Sequence, residues 1–284
     1  MRKILALCLA ALSSTAALAD SPPEWTRPIE PFHVVGPIDY VGTEGIGVYL
    51  IRTDAGAIVI DAGPAEAAPI VERNIVKLGL KLSDVKILLA THAHWDHVAG
   101  MAKLKRDTGA RLLASAGDRG ALDRGTPPSD TDYGVVKFAP VKVDGPVVDG
   151  RPVRLGNVAL TPVLTPGHTP GCTSWTMQVK ERGRPLNVLF LCSLSVAGNK
   201  LVGNKGYPGI VGDYRQSFAR LRGMKADVVL PAHPELADVL GRARRRKAGD
   251  ASAFIDPSVL PKMVAEFSTA FDQELAKQTK PRRP

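Results

Sequence analysis

The run Leu88-Leu89-Ala90-Thr91-His92-Ala93-His94-Trp95-Asp96-His97 constrains this chain more than any other stretch. Val85 to Ala90 is short and almost continuously apolar, the pattern of a strand buried on both faces. It leads directly into three imidazoles and a carboxylate. Alternate side chains of an extended chain share a face, so His92 and His94 project together, while Asp96 and His97 begin the next turn and point back toward a second position. The chain has only six histidines, and half of them fall here. Imidazole nitrogen and carboxylate oxygen at this density suit a borderline cation, zinc before others. The cluster is too rich for one tetrahedral site that also keeps a position open to substrate, so two metal ions are implied.

Further ligands must come from elsewhere in the fold. His168 sits in the turn-rich Thr165-Pro166-Gly167-His168-Thr169-Pro170-Gly171, and His233 in Leu230-Pro231-Ala232-His233-Pro234. Both follow strand-like runs, and loops at strand ends are where sites are built. Because these candidates come from both halves of the chain, one domain sharing a site is expected. His33 fits no ligand position and is placed on or near the surface.

The rest of the pattern alternates strands and helices. Val48 to Ile51 and Ala57 to Ile60 read as a hairpin turned at Thr53-Asp54-Ala55-Gly56. Helical spacing covers Ala65 to Leu80, Val98 to Asp107, Ala116 to Arg124, Tyr214 to Arg222 and Pro257 to Ala276. Strands are expected at Arg111 to Ala114, Val158 to Leu164, Thr173 to Val179, Asn187 to Cys192 and Asp227 to Leu230. No Gly/Ser or charge-block linker divides the chain. Two packed sheets with helices outside follow.

Arg2 and Lys3, the apolar run Ile4 to Leu12 and Ala17-Leu18-Ala19 before Asp20 have the order of a secretory signal peptide, so residues 1–19 are expected to be removed and 20–284 to fold. The apolar run is too short for a membrane anchor, and Cys8 lies inside it rather than at a lipidation position. Cleavage lowers the formal charge of +9 by two. The remaining basic residues cluster only at Arg242 to Lys247 and Lys280 to Arg283, without interleaved aromatics, which reads as a solvated helix face and a frayed end rather than a nucleic-acid surface. A periplasmic location permits a disulfide.

The series His92-Ala93-His94-Trp95-Asp96-His97, Gly167-His168 and His233 resembles the ligand series of the metallo-β-lactamase superfamily. Trp25-Thr26-Arg27-Pro28, Val59-Ile60-Asp61-Ala62-Gly63, Leu104 to Ala110, Thr165 to Trp175, Ser193-Leu194-Ser195, Tyr207 to Ile210 and Asp213-Tyr214-Arg215 are similar to segments of the third subclass of class B β-lactamases. The resemblance implies an α/β fold, a four-layer αβ/βα sandwich. It implies one zinc held by His92, His94 and His168, and a second held by Asp96, His97 and His233. It further implies that hydroxide generated between the metals opens the β-lactam amide, with Asp96 orienting it, Ser193 and Ser195 binding the substrate carboxylate, and Trp25 lining the wall. Asp61 is a candidate to steady a ligand imidazole. The substrate is a small molecule and the enzyme is expected to be a monomer.

Cys172 and Cys192 flank a predicted hairpin centred on Arg182, within disulfide reach of each other across paired strands, so a bond between them is expected. Cys192 is not expected as a ligand, because on an extended strand it points away from Ser193 and His97 already supplies the third ligand. Three alternatives share the metal core. A thioester or lactone hydrolase of the same superfamily usually carries a bridging Asp where this chain has Ser193. A nuclease would suit the basic charge but not export, and a non-catalytic periplasmic zinc-binding protein would leave Asp96 without a task.

Overall fold

The computed structural model describes residues 22–280. The signal-peptide residues, Cys8 and the last four residues lie outside them. The first sheet contains β1 (Phe32–Val35), β2 (Ile38–Tyr40), β3 (Tyr49–Thr53), β4 (Gly56–Ile60), β5 (Val85–Leu89), β6 (Arg111–Ser115) and β7 (Gly145–Val147), in that order. Its first half is an antiparallel meander and its second half is parallel. The second sheet contains β8 (Val153–Leu155), β9 (Val158–Leu164), β10 (Thr173–Glu181), β11 (Arg184–Leu191) and β12 (Val228–Pro231), with β12 parallel to β11 and the others antiparallel.

Period-two alternation sorts the strand residues into layers. Ile58, Ile60, Leu89 and Leu113 meet Trp175, Met177, Val188, Phe190 and Leu230 in the core between the sheets. Their neighbours Ala57, Val59, Leu88 and Leu112 face outward onto α2 (Ala68–Lys77), α4 (Met101–Thr108) and α5 (Ala116–Arg124). Leu189, Leu191 and Val229 face the other way onto α6 (Ile210–Arg222) and α8 (Val259–Thr279). The stretches buried on both faces, Ala57 to Ile60, Ile87 to Leu89 and Val188 to Leu191, are apolar at every position, as such strands require. The architecture is thus an αβ/βα sandwich, with α7 (Val239–Lys247) covering one edge of the central core through Val239 and Leu240. Across the layers, the Tyr49 hydroxyl donates to the Pro231 carbonyl at 2.8 Å, fastening β12 to the first sheet.

The structure departs from the sequence expectations at several places. The helix expected over Val98 to Asp107 is two helices, α3 (Trp95–Val98) and α4, with Asp96 and His97 inside the first. A close approach breaks them apart: a Cβ on Gly100 would sit 2.7 Å from the Ala62 carbonyl oxygen, and Gly100 N–H bonds Gly63 O at 3.0 Å. The short strands β1, β2, β7 and β8 were not expected at all. The β10–β11 hairpin pairs Glu181 with Arg184, so its centre lies between Arg182 and Gly183. Cys172 and Cys192 therefore lie just past the paired residues, yet they are bonded, with Cα atoms 6.0 Å apart.

Candidate metal centre

Every candidate ligand follows a strand terminus. β5 ends at Leu89, and the extended Ala90 to His94 carries His92 and His94 to the sandwich edge before α3 presents Asp96 and His97. His168 comes from the β9–β10 loop, and His233 stands two residues after β12. Two groups form in this way. Ligand atoms of His92, His94 and His168 lie within 4.8 Å of one another, as do those of Asp96, His97 and His233. The His92 and His97 rings, 4.3 Å apart between centroids, join the two groups.

The hydrogen bonds around the first group decide which nitrogens are free. Thr91 Oγ1 donates to Asp61 at 2.7 Å, so at 2.9 Å from His92 Nδ1 it must accept that ring's proton. His168 Nδ1 donates to the Ser195 carbonyl at 2.8 Å. Both Nε2 atoms are consequently bare lone pairs, and they face each other at 3.2 Å. Two lone pairs at that distance repel unless a cation sits between them, and outer hydrogen bonds of this kind are what orient metal-binding imidazoles. His94 Nε2 and His97 Nδ1 are buried without any partner. The donor set therefore fits a divalent metal of the zinc type.

Electrostatics separate the groups. Burial holds His92 and His168 well below the usual imidazole value and lowers His94 to about 4. In the second group burial opposes ionisation, but the charges outweigh it: His97 and His233 hold Asp96 well below the carboxylate range, and Asp96 in turn raises His97. Asp96 Oδ2 lies 3.1 Å from His97 Nε2 and 3.4 Å from His233 Nε2. The His97 and His233 Nε2 atoms are 3.2 Å apart.

Two buried aspartates stand behind the ligands. Asp61, in a left-handed conformation at φ +63°, accepts Thr91 N–H and Oγ1–H and lies 3.7 Å from His97 Nδ1. It therefore reaches both groups. Asp118, in the first turn of α5, accepts from Ala93 N–H, Thr169 Oγ1 and Gly171 N–H. Burial pushes each carboxyl up to about 6, against the pull of these donors.

The other expected site residues surround this centre. Trp25, on α1 (Pro23–Thr26), packs 5.5 Å from both His233 and Trp95. Ser193 is buried and its hydroxyl is 3.0 Å from that of Ser195. His33 is exposed on β1, away from the centre and 3.5 Å from Asp39. Three contributions escaped the sequence reading. The Ser195 carbonyl is a backbone group and leaves no residue signal. Asp118 looks like any acid in a first helical turn. Tyr133, half-exposed on the loop after α5, has its phenol pKa raised by burial and by the charge of Asp96.

Strand-end clusters of His and Asp at the edge of an αβ/βα sandwich define a class of metal-dependent proteins, and the family model says which: residues 42–233 match the metallo-beta-lactamase superfamily, to which the chain belongs. Its structural neighbours are more particular. BJP-1, a subclass B3 metallo-beta-lactamase of Bradyrhizobium japonicum, is 44% identical with a TM-score of 0.86, over 90% of this chain and 97% of that one. The FEZ-1 metallo-beta-lactamase from Legionella gormanii is 36% identical with a TM-score of 0.84, over 89% and 97%. Among curated proteins, a hydroxyacylglutathione hydrolase of Bradyrhizobium sp. is 32% identical over 142 residues, 50% of this chain and 47% of the relative. The chain spans about half the length of the curated relatives it matches.

Proposed function

We propose that residues 20–284 form one exported periplasmic domain, a monomeric zinc hydrolase that opens the amide of β-lactam antibiotics and confers resistance to them. His92, His94 and His168 hold one zinc, and Asp96, His97 and His233 hold a second. The observation that carries this reading is the facing pair of bare Nε2 atoms in the first group, with the carboxylate-bearing group joined to it through His97. Two bound zinc ions would polarise a carbonyl and acidify water toward neutrality.

The chain's own groups do the rest. Asp96 stays ionised beside His97 and His233, so its free lone pairs can accept a proton and aim the attacking water. Thr91 and the Ser195 carbonyl fix the tautomers of His92 and His168. The Ser193 and Ser195 hydroxyls, side by side next to the first group, donate to the substrate carboxylate. Trp25 and Tyr133 supply apolar walls that exclude bulk water. Among the described residues no helix is long and apolar enough to cross a membrane.

Hydrolysis of a chromogenic cephalosporin, lost with a chelator and regained with zinc, is the test. The curated relatives named as hydroxyacylglutathione hydrolases support thioester cleavage as the second reading. Ser193 stands against it, because the metal-bridging carboxylate usual in such enzymes is missing there. Purified dizinc protein that cleaves a hydroxyacylglutathione but opens no β-lactam would reverse the order of the two readings.

A further inference from the structure

We propose that Asp118 is the positioning residue of the three-histidine group alone: it sets the distance between the segment carrying His92 and His94 and the loop carrying His168. This rests on the reading that those histidines hold zinc. Asp118 is 1% exposed, and its carboxylate hydrogen-bonds Ala93, Thr169 and Gly171 rather than a candidate ligand. Its Oδ2 accepts from Ala93 N–H at 2.8 Å, the amide between the two histidines of the strand end. The same oxygen accepts from Thr169 Oγ1 at 2.8 Å, and Oδ1 accepts from Gly171 N–H at 2.9 Å, so the carboxylate also grips the loop on the residues after His168. One side chain thus joins segments 76 residues apart in sequence through three donors.

The surroundings prevent the clamp from drifting. Ser115 Oγ donates to the Gly171 carbonyl at 2.7 Å, holding the start of α5 to the same loop. A Cβ on Gly117 would fall 2.5 Å from Pro170 C, and one on Gly171 would fall 2.5 Å from Asp118 Cγ, so the two backbones already touch. The position in the first turn of α5 favours a carboxylate as well. Only a carboxylate satisfies three donors at both oxygens; an amide must turn an N–H toward one of them and leave it unpaired. Asp118 makes no hydrogen bond to Asp96, His97, His233 or their neighbours, where Asp61 stands instead.

Zinc titration of metal-free protein, followed by the bound metal after dialysis at graded free zinc, separates positioning from mere structural support. Asp118→Asn in a His233→Ala background, which leaves only the first group, is expected to bind zinc about 10- to 100-fold more weakly than His233→Ala alone. The same change in a His168→Ala background, which leaves only the second group, is expected to alter affinity less than twofold. Thr169→Val, which removes one of the three donors, gives a smaller loss at the same group and serves if Asp118→Asn does not fold. Asp61→Asn is expected to weaken both groups. Equal losses at the two groups, or none at the first, would overturn the proposal. A wild type that takes up no zinc would overturn the underlying reading too, and shows this before any variant is made.

Discussion

The two ligand groups are built from opposite materials. His92, His94 and His168 are buried imidazoles, kept neutral by their surroundings, and among the described residues nothing neutralises the facing Nε2 lone pairs of His92 and His168. Asp96, His97 and His233 contain their own counter-charge, so a proton shared between Asp96 and His97 can stand where a cation would. His233 keeps part of its side chain open to solvent, whereas His92 and His168 are buried. The first group is a socket that is incomplete without a metal, and the second is a site that can idle. With zinc in both groups, as proposed, the first would keep its metal and the second would exchange it.

Ligand removal should sharpen the contrast most. His168→Ala is expected to lower kcat/KM for a chromogenic cephalosporin by about 10³-fold or more, given the several kcal/mol that metal polarisation supplies. The bound zinc should fall from two ions to one. His233→Ala should also leave one ion, so equal zinc affinity in the two variants would erase the distinction between socket and idling site.

Acid should act on the groups in a definite order. His94 has a folded pKa of about 4 against an ordinary 6.5, so its contribution to stability is complete above 6.5 and is lost as pH falls toward 4, by about 3 kcal/mol. His97 runs the other way: its pKa is raised, so its contribution is present below 6.5 and fades as pH rises through the folded value. Protons therefore compete with metal at the second group first. Zinc content after dialysis at stepped pH from 7 to 5 should drop to one ion per chain before it drops to none, and simultaneous loss would break the comparison.

The disulfide belongs to the first group's side of the centre. It joins the base of the His168 loop to the residue before Ser193 and closes a separation of 20 residues. Cys172→Ser with Cys192→Ser should cost about 3 kcal/mol of unfolding free energy in denaturant titration. Any accompanying loss of zinc affinity should fall on the three-histidine group.

Ser195→Ala should do least. The residue holds His168 through its carbonyl, which the substitution keeps, and loses only a hydroxyl. KM for penicillins is expected to rise about 5- to 10-fold, the equivalent of one ordinary net hydrogen bond of about 1 kcal/mol, with zinc content unchanged.

Much of this centre could be read from residues because its chemistry is written in rare side chains. A chain with six histidines advertises the five that converge. The layers were legible for a related reason, since Val85 to Ala90 and Asn187 to Cys192 are apolar on both faces and fit only the middle of a sandwich. The edges were not. β7 and β8 are three residues each, too short for alternation to register, and β1 and β2 are joined by a tight turn at Gly36. The break between α3 and α4 depends on contact with Gly63 and Ala62, which helical spacing near Val98 does not encode. Asp118 and the Ser195 carbonyl matter only through partners far along the chain, and no local pattern announces them.

The bond from Tyr49 to Pro231 ties the last ligand strand to one of the first strands made. Counted from the amino end, His92, His94, His168 and Ser195 all precede β12, while His233 follows it. A chain cut within α6 would contain the three ligands of the first group and lack the last ligand of the second. Turnover would therefore wait on β12, the strand that Tyr49 fastens to the first sheet.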